Sequence, residues 1–296
     1  MDEQAIIELY VQDARAALND KYVDLKPRKR LMVMDEMSSE TKDTLPYREA
    51  FVLNSILGKC RPAAANRQMA RLRDAHHKQG TYDEYLALEA MLADNLHGVS
   101  FGNHGFRTRN LSDADPQKLY DGIQKIVTLL KKLGYDSFIN SGTLLGMIRD
   151  KGPIAYDDDI DLAVILQART DEDAAEEFKV LLGMLLAEGI DCHLAESKNV
   201  IIKMPYIEGF NVDIFPAYGT FRRYNIFPYS RKQLTYNDVW PLKDCPISGA
   251  PLPANPERLL EENYGKDWRT PNPRFAFPWV AQKEKFAVLI EECAKE

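Results

Sequence analysis

At 296 residues the chain is long enough for one large domain or two small ones, and a hydrophobic content of 45% supplies a real core. A formal net charge of −7, with 28% of residues charged, argues against a general affinity for nucleic acid, so no nucleic-acid partner is expected. No basic segment leads into an apolar stretch after Met1-Asp2-Glu3-Gln4, and no run approaches the roughly 18 apolar residues of a membrane span. With Cys60, Cys192, Cys245 and Cys293 widely scattered and no C-x-x-C pair, the expectation is a cytoplasmic protein with free thiols.

The first hundred residues carry helical periodicity only. Residues 5–18 place Ile6, Leu9, Tyr10, Ala14 and Ala17 at helical spacing, and residues 47–57 and 82–96 repeat the pattern. Lys26-Pro27-Arg28-Lys29-Arg30 and Lys59-Cys60-Arg61-Pro62 punctuate them, and His76 and His77 fall in a polar helical stretch expected to be exposed. The division read from this is an all-helical N-terminal appendage, residues 1–100, and a catalytic region, residues 101–296. Residues 101–115, rich in Gly, Asn, Arg and Ser, read as a linker or long loop.

A helix follows, capped by Asp115 with Pro116 at its first position, with Leu119, Ile123, Ile126 and Leu130 on one face and Gly134 at its end. Next come a short strand at 137–140, a helical turn at 143–149, a strand at 160–166 and a helix at 173–188 closed by Gly189. Strands are expected at 192–195, 200–204 and 212–215. The alternation indicates an α+β fold, a mixed sheet flanked by helices. Toward the C-terminus, Phe227, Tyr229, Trp240, Tyr264, Trp268 and Trp279 form either a platform for a sugar or a cover packed on the sheet. Residues 280–294 read as one helix.

The chemistry concentrates in one region. Ser141-Gly142-Thr143-Leu144-Leu145-Gly146 is followed by the cations Arg149 and Lys151, then by Asp157-Asp158-Asp159-Ile160-Asp161 opening a strongly apolar strand. Carboxylates running into a buried strand are costly unless neutralised, and hard oxygen donors suit Mg2+ or Mn2+. Alternation puts Asp159 and Asp161 on one face of the strand, with Ile160 and Leu162 on the other. In Asn211-Val212-Asp213-Ile214-Phe215-Pro216 a single acid alternates with apolar residues, so a strand pairing nearby would bring Asp213 to the same site. Three carboxylates after a glycine turn are the metal constellation of the nucleotidyltransferase fold. Asp159, Asp161 and Asp213 are therefore the candidate metal ligands and catalytic residues, with Asp213 either a ligand or the base. Ser141, Gly142 and Thr143, through backbone amides, and Arg149 and Lys151, through charge, are the candidate donor-phosphate contacts. Arg149 could equally pair with a neighbouring aspartate, and Asp157 and Asp158 are either supporting acids or loop acids. An EF-hand loop fails for want of a central Gly and closing Glu, and neither a Walker A nor a G-x-G-x-x-G pattern is present.

The run from Ser141 to Asp161 resembles the signature of LicD-type phosphotransferases, a family that includes bacterial phosphocholine transferases and, more distantly, fukutin and fukutin-related protein. Ala155 and Tyr156 depart from the family's proline and tryptophan, and Pro153 is a further departure. Val212-Asp213-Ile214-Phe215-Pro216 also resembles the family pattern, as does the span from Leu252-Pro253 to Tyr264-Gly265-Lys266-Asp267-Trp268. The resemblance implies a nucleotidyltransferase-like domain that uses Mg2+ or Mn2+ to move phosphocholine or a polyol phosphate from a CDP-alcohol donor to a glycan or glycolipid acceptor. It also implies peripheral association with a membrane-bound glycan assembly system. The alternatives are a nucleotidyltransferase of the same fold, a D-x-D glycosyltransferase, which the helical N-terminus disfavours, and a catalytically silent binding protein.

Overall fold

A computed structural model describes residues 2–19, 24–102, 105–196, 199–275 and 277–295. Two compact units emerge: Met1–Arg109 with the return segment Asn272–Ala276, and Asn110–Pro271 with Phe277–Glu296. No helix among the described residues is long and apolar enough to cross a membrane, and the four cysteines are unbridged.

The first unit is built from α1 (Glu3–Leu18), α2 (Pro27–Asp35), α3 (Ser39–Lys42), α4 (Leu45–Leu57), α5 (Pro62–Gln79) and α6 (Tyr82–Leu96). Helix α4 is its axis. Thr44 caps it by accepting from the Tyr47 amide, and burial runs unbroken from Ala50 to Ile56, because α1, α2 and α5 pack around it. The linker expected after α6 is instead partly a hairpin, β1 (Ser100–Gly102) with β2 (Gly105–Arg107), in which Phe101 and Phe106 stand directly opposite each other. That cross-strand aromatic pair outweighs the loop-like composition around it. His76 is also buried, contrary to the sequence expectation: its Nδ1 shares a 2.8 Å hydrogen bond with Thr81 Oγ1, while exposed His77 stacks on Tyr82. In the return segment the Arg274 guanidinium reaches Glu89 with two bonds of 2.9 and 2.8 Å, and it lies 4.1 Å from the Phe101 ring centre.

The second unit opens with α7 (Pro116–Lys132), capped as the sequence indicates, with Asp115 accepting from the Gln117 and Lys118 amides. Its buried face is Leu119, Ile123, Ile126 and Leu130, each worth about 1.5–3 kcal/mol of burial. Then follow β3 (Ser137–Ile139), α8 (Ser141–Leu145) with a π turn over Gly146–Asp150, β4 (Asp159–Leu166), α9 (Asp171–Ala187), β5 (His193–Leu194), β6 (Ile202–Ile207) and β7 (Phe210–Gly219). The chain continues through β8 (Tyr224–Ile226), β9 (Ser230–Leu234), α10 (Tyr236–Val239), β10 (Lys243–Asp244), β11 (Pro251–Leu252), α11 (Pro256–Tyr264), α12 (Trp279–Glu284) and α13 (Ala287–Cys293). The single C-terminal helix expected from periodicity is thus broken between α12 and α13, where Phe286 is fully buried against Phe227.

The sheet runs β3-β4-β7-β6-β5, with β8 joined to β7 and β9 to β8. Among the described residues only β4 and β7 pair in parallel, and the other pairs of this sheet are antiparallel, so the sheet is mixed. Strand β4 is buried along its whole length, on both faces. The face carrying Ile160 and Leu162 packs into the core, whereas the face carrying the acids is covered by α8.

Candidate active site

Register determines which acids meet. Along the parallel β4–β7 pair, Asp159 stands level with Asn211 and Asp161 with Asp213, so the late acid is delivered beside the D-x-D by strand pairing alone. Asp159, Asp161 and Asp213 are 8%, 6% and 4% exposed, and one carboxylate oxygen from each lies within 4.8 Å of the other two. Asp157, Asp158 and Asp159 form a second such group, so Asp159 belongs to both.

The glycine turn explains itself against these acids. Gly142 donates its N–H to Asp161 Oδ2 at 2.9 Å, and Thr143 Oγ1 accepts from the Asp161 amide at 2.9 Å. A Cβ at position 142 would lie 2.2 Å from Asp157 Oδ2 and 3.3 Å from Asp161 Oδ2, so the two acids approach where only a glycine leaves room. At Gly146 a Cβ would meet the backbone oxygen of Gly152 at 2.5 Å, which folds the π turn back on itself. Ser141 is buried at φ +45°, a strained conformation for a residue with a side chain. Its side chain shares hydrogen bonds with the Tyr229 and Tyr264 hydroxyls.

Burial, and then the charges of Asp159, Asp157 and Asp213, push the Asp161 carboxyl well above the ordinary carboxylate range. Asp157 is raised for the same reasons, burial first and then Asp159 and Asp158. Tyr229 and Tyr264 are raised by burial and by the nearby Asp161 charge. The loop carrying Asp157 is held by its carbonyl, which accepts from the Leu111 amide at 2.8 Å.

The donor set could hold a metal ion that prefers oxygen ligands. It is all oxygen, it is crowded with like charge, and Asp157 Oδ2 beside it is buried with no hydrogen-bond partner.

Of the residues singled out from sequence, the structure brings Asp159, Asp161, Asp213, Ser141, Gly142 and Thr143 together. Gly142 and Thr143 brace Asp161 directly. Arg149 and Lys151 are engaged elsewhere: Arg149 clamps the Asp150 carboxylate and reaches the Tyr156 hydroxyl, and Lys151 Nζ donates to the Ile148 carbonyl. Lys203 of β6, not singled out from sequence, forms an ion pair with Asp213. The signal for it was present in Ile202-Lys203-Met204, where a cation alternates with apolar residues and must face away from the core. The C-terminal aromatics pack largely as a cover. Trp268 is 5% exposed, and Tyr229 rests edge-on against Phe215 and Phe277, with centroids 5.4 and 4.9 Å away.

A family model described as LicD/FKTN/FKRP, nucleotidyltransferase domain, matches residues 134–256. The matched span runs from just past α7 to the first residue of α11 and includes Asp159, Asp161, Lys203, Asp213 and Tyr229. The chain therefore carries a LicD-family domain, and the nucleotidyltransferase-like sheet expected from the sequence is its core. No curated protein matches the chain.

Proposed function

We propose that this protein, through its LicD-family domain, is a metal-dependent transferase that moves phosphocholine or a polyol phosphate from a CDP-linked donor to a hydroxyl of a glycan or glycolipid. The observation that carries the reading is the convergence of Asp159, Asp161 and Asp213, from two parallel strands, to within 4.8 Å. Held by these three, a Mg2+ or Mn2+ ion would neutralise charge on the donor pyrophosphate and on the departing CMP.

The chain's own part is orientation and proton handling. Asp161 is fixed at its carboxylate by the Gly142 amide and at its backbone by Thr143, so it presents one defined oxygen to the site. A carboxylate oxygen of the cluster that the ion leaves free would accept the proton of the acceptor hydroxyl as the hydroxyl oxygen attacks phosphorus. A new P–O bond to the acceptor forms while the P–O bond to CMP breaks. Tyr229 and Tyr264 hold Ser141, and hence the turn from which Gly142 donates.

The matched domain's description favours a second reading, in which the same acids direct attack on the α-phosphorus of a nucleoside triphosphate and release pyrophosphate. Incubation with CDP-choline, CDP-ribitol, CDP-glycerol and nucleoside triphosphates in Mg2+ separates the two, since CMP release supports the first and pyrophosphate the second. Turnover undiminished by EDTA would overturn the metal-centred site.

A further inference from the structure

Lys203 stands directly opposite Asp213 across the antiparallel β6–β7 pair, and Asp213 stands level with Asp161 across β7–β4. Directly opposed residues on neighbouring strands share a face, so Asp161, Asp213 and Lys203 form one row across three strands, at a spacing of about 4.8 Å. Lys203 Nζ donates to Asp213 Oδ2. The Asp213 side chain is 5% exposed and that of Lys203 is 34% exposed, so the lysine keeps contact with solvent where its partner does not.

We infer that Lys203 is a charge placeholder. In the metal-free protein its ammonium neutralises Asp213, and once that carboxylate is engaged by a divalent cation Lys203 turns to the phosphates of the donor. A buried carboxylate with two acidic neighbours needs a positive partner, and a single ammonium supplies it most simply. The same carboxylate cannot hold two cations at full strength, because they repel each other at contact distance. Lysine suits the exchange, being a compact point charge on a flexible four-carbon stem and a good phosphate partner. The inference rests on the metal-site reading above and adds the residue that competes with the ion and then contacts the substrate's charge.

The test is calorimetry with Mn2+ alone and then with inorganic pyrophosphate at saturating Mn2+, on the full chain and on Lys203→Met, Lys203→Gln and Lys203→Arg. Removing the competing charge should tighten Mn2+ binding about tenfold in the Met and Gln variants and leave the Arg variant near wild type. The same two variants should bind pyrophosphate about tenfold more weakly. Wild-type protein that takes up no Mn2+ sinks both the metal-site reading and this inference. Uptake by the wild type with equal or weaker affinity in Lys203→Met overturns the inference alone, and undiminished pyrophosphate binding overturns the phosphate contact. If the variants do not fold, the Lys203 ammonium signal of the wild type can be followed by 15N NMR. A signal that stays unchanged at saturating Mg2+ would overturn the exchange.

Discussion

Gly142 and Asp157 are so close that a single added methyl on Gly142 would fall 2.2 Å from the Asp157 carboxylate. The clash is with the end of a side chain, which can swing away, but swinging away removes an acid from the edge of the cluster. At Gly146 the obstacle is a backbone oxygen at 2.5 Å, which cannot.

Gly142→Ala should therefore cost only about 1–3 kcal/mol of stability while weakening Mn2+ binding and turnover severely. Gly146→Ala should do the reverse, losing more stability for whatever Mn2+ affinity its folded fraction retains. Chemical denaturation paired with Mn2+ titration reads both quantities. Equal ratios of the two losses in the two variants would contradict the division of labour.

Asp161→Asn should stabilise the metal-free protein, because it removes one of several like charges held together out of water and keeps an oxygen to accept from Gly142. The expected gain is about 1 kcal/mol in EDTA, with loss of turnover and of the rise in Tm expected of the wild type in Mg2+. A variant less stable than wild type in EDTA would show that Asp161 holds the fold as well as the site.

The helical unit has its own pH dependence through Glu89. Burial raises its carboxyl, but the Arg274 hydrogen bond and charge, with the Tyr85 hydroxyl, outweigh burial and leave it below its ordinary value of 4.5. A depressed carboxyl contributes stability that is complete above the unfolded value and lost as pH falls through the folded one. Glu89→Gln should thus flatten the acid limb of the melting curve below about pH 4.5, and Arg274→Ala, which leaves Glu89 without its cation, should cost about 3 kcal/mol near neutrality. Parallel acid limbs in wild type and Glu89→Gln would rule this out.

Truncation gives a further expectation. The large core of the second unit runs from Leu111 to Ile290 without using any residue of the first hundred, so a chain starting at residue 110 should fold cooperatively. In it, residues 272–276 lose the helices they belong with and should become the preferred site of limited proteolysis. Residues 1–109 alone lack Arg274 and should melt earlier than the same unit within the full chain.

The acids were legible because their information is local. A D-x-D opening an apolar strand and a lone acid between Val212 and Ile214 each declare a face, and the glycine turn precedes them in order. Lys203 declared a face too, but its meeting with Asp213 depends on the register of β6 against β7, which includes an irregularity between Met204 and Ile207. Arg149 left two partners open on charge alone, and proximity decided for Asp150, its chain neighbour. Arg274 and Glu89 were beyond reach of any window, lying 185 residues apart. The hairpin at Phe101 and Phe106 was hidden by a composition suited to a loop.

Strand β7 pairs with β4, β6 and β8, and it carries Asp213 in the stretch bonded on both sides. Amides in such a position exchange with solvent only when the surrounding cooperative unit opens. Hydrogen exchange at Val212 and Ile214 should therefore run at the slow, global limit, and the spacing between Asp161 and Asp213 should persist as long as the folded state itself. Changes in the shape of the site then fall to the connections that lead into the strands, above all residues 151–158, which lie outside every ladder.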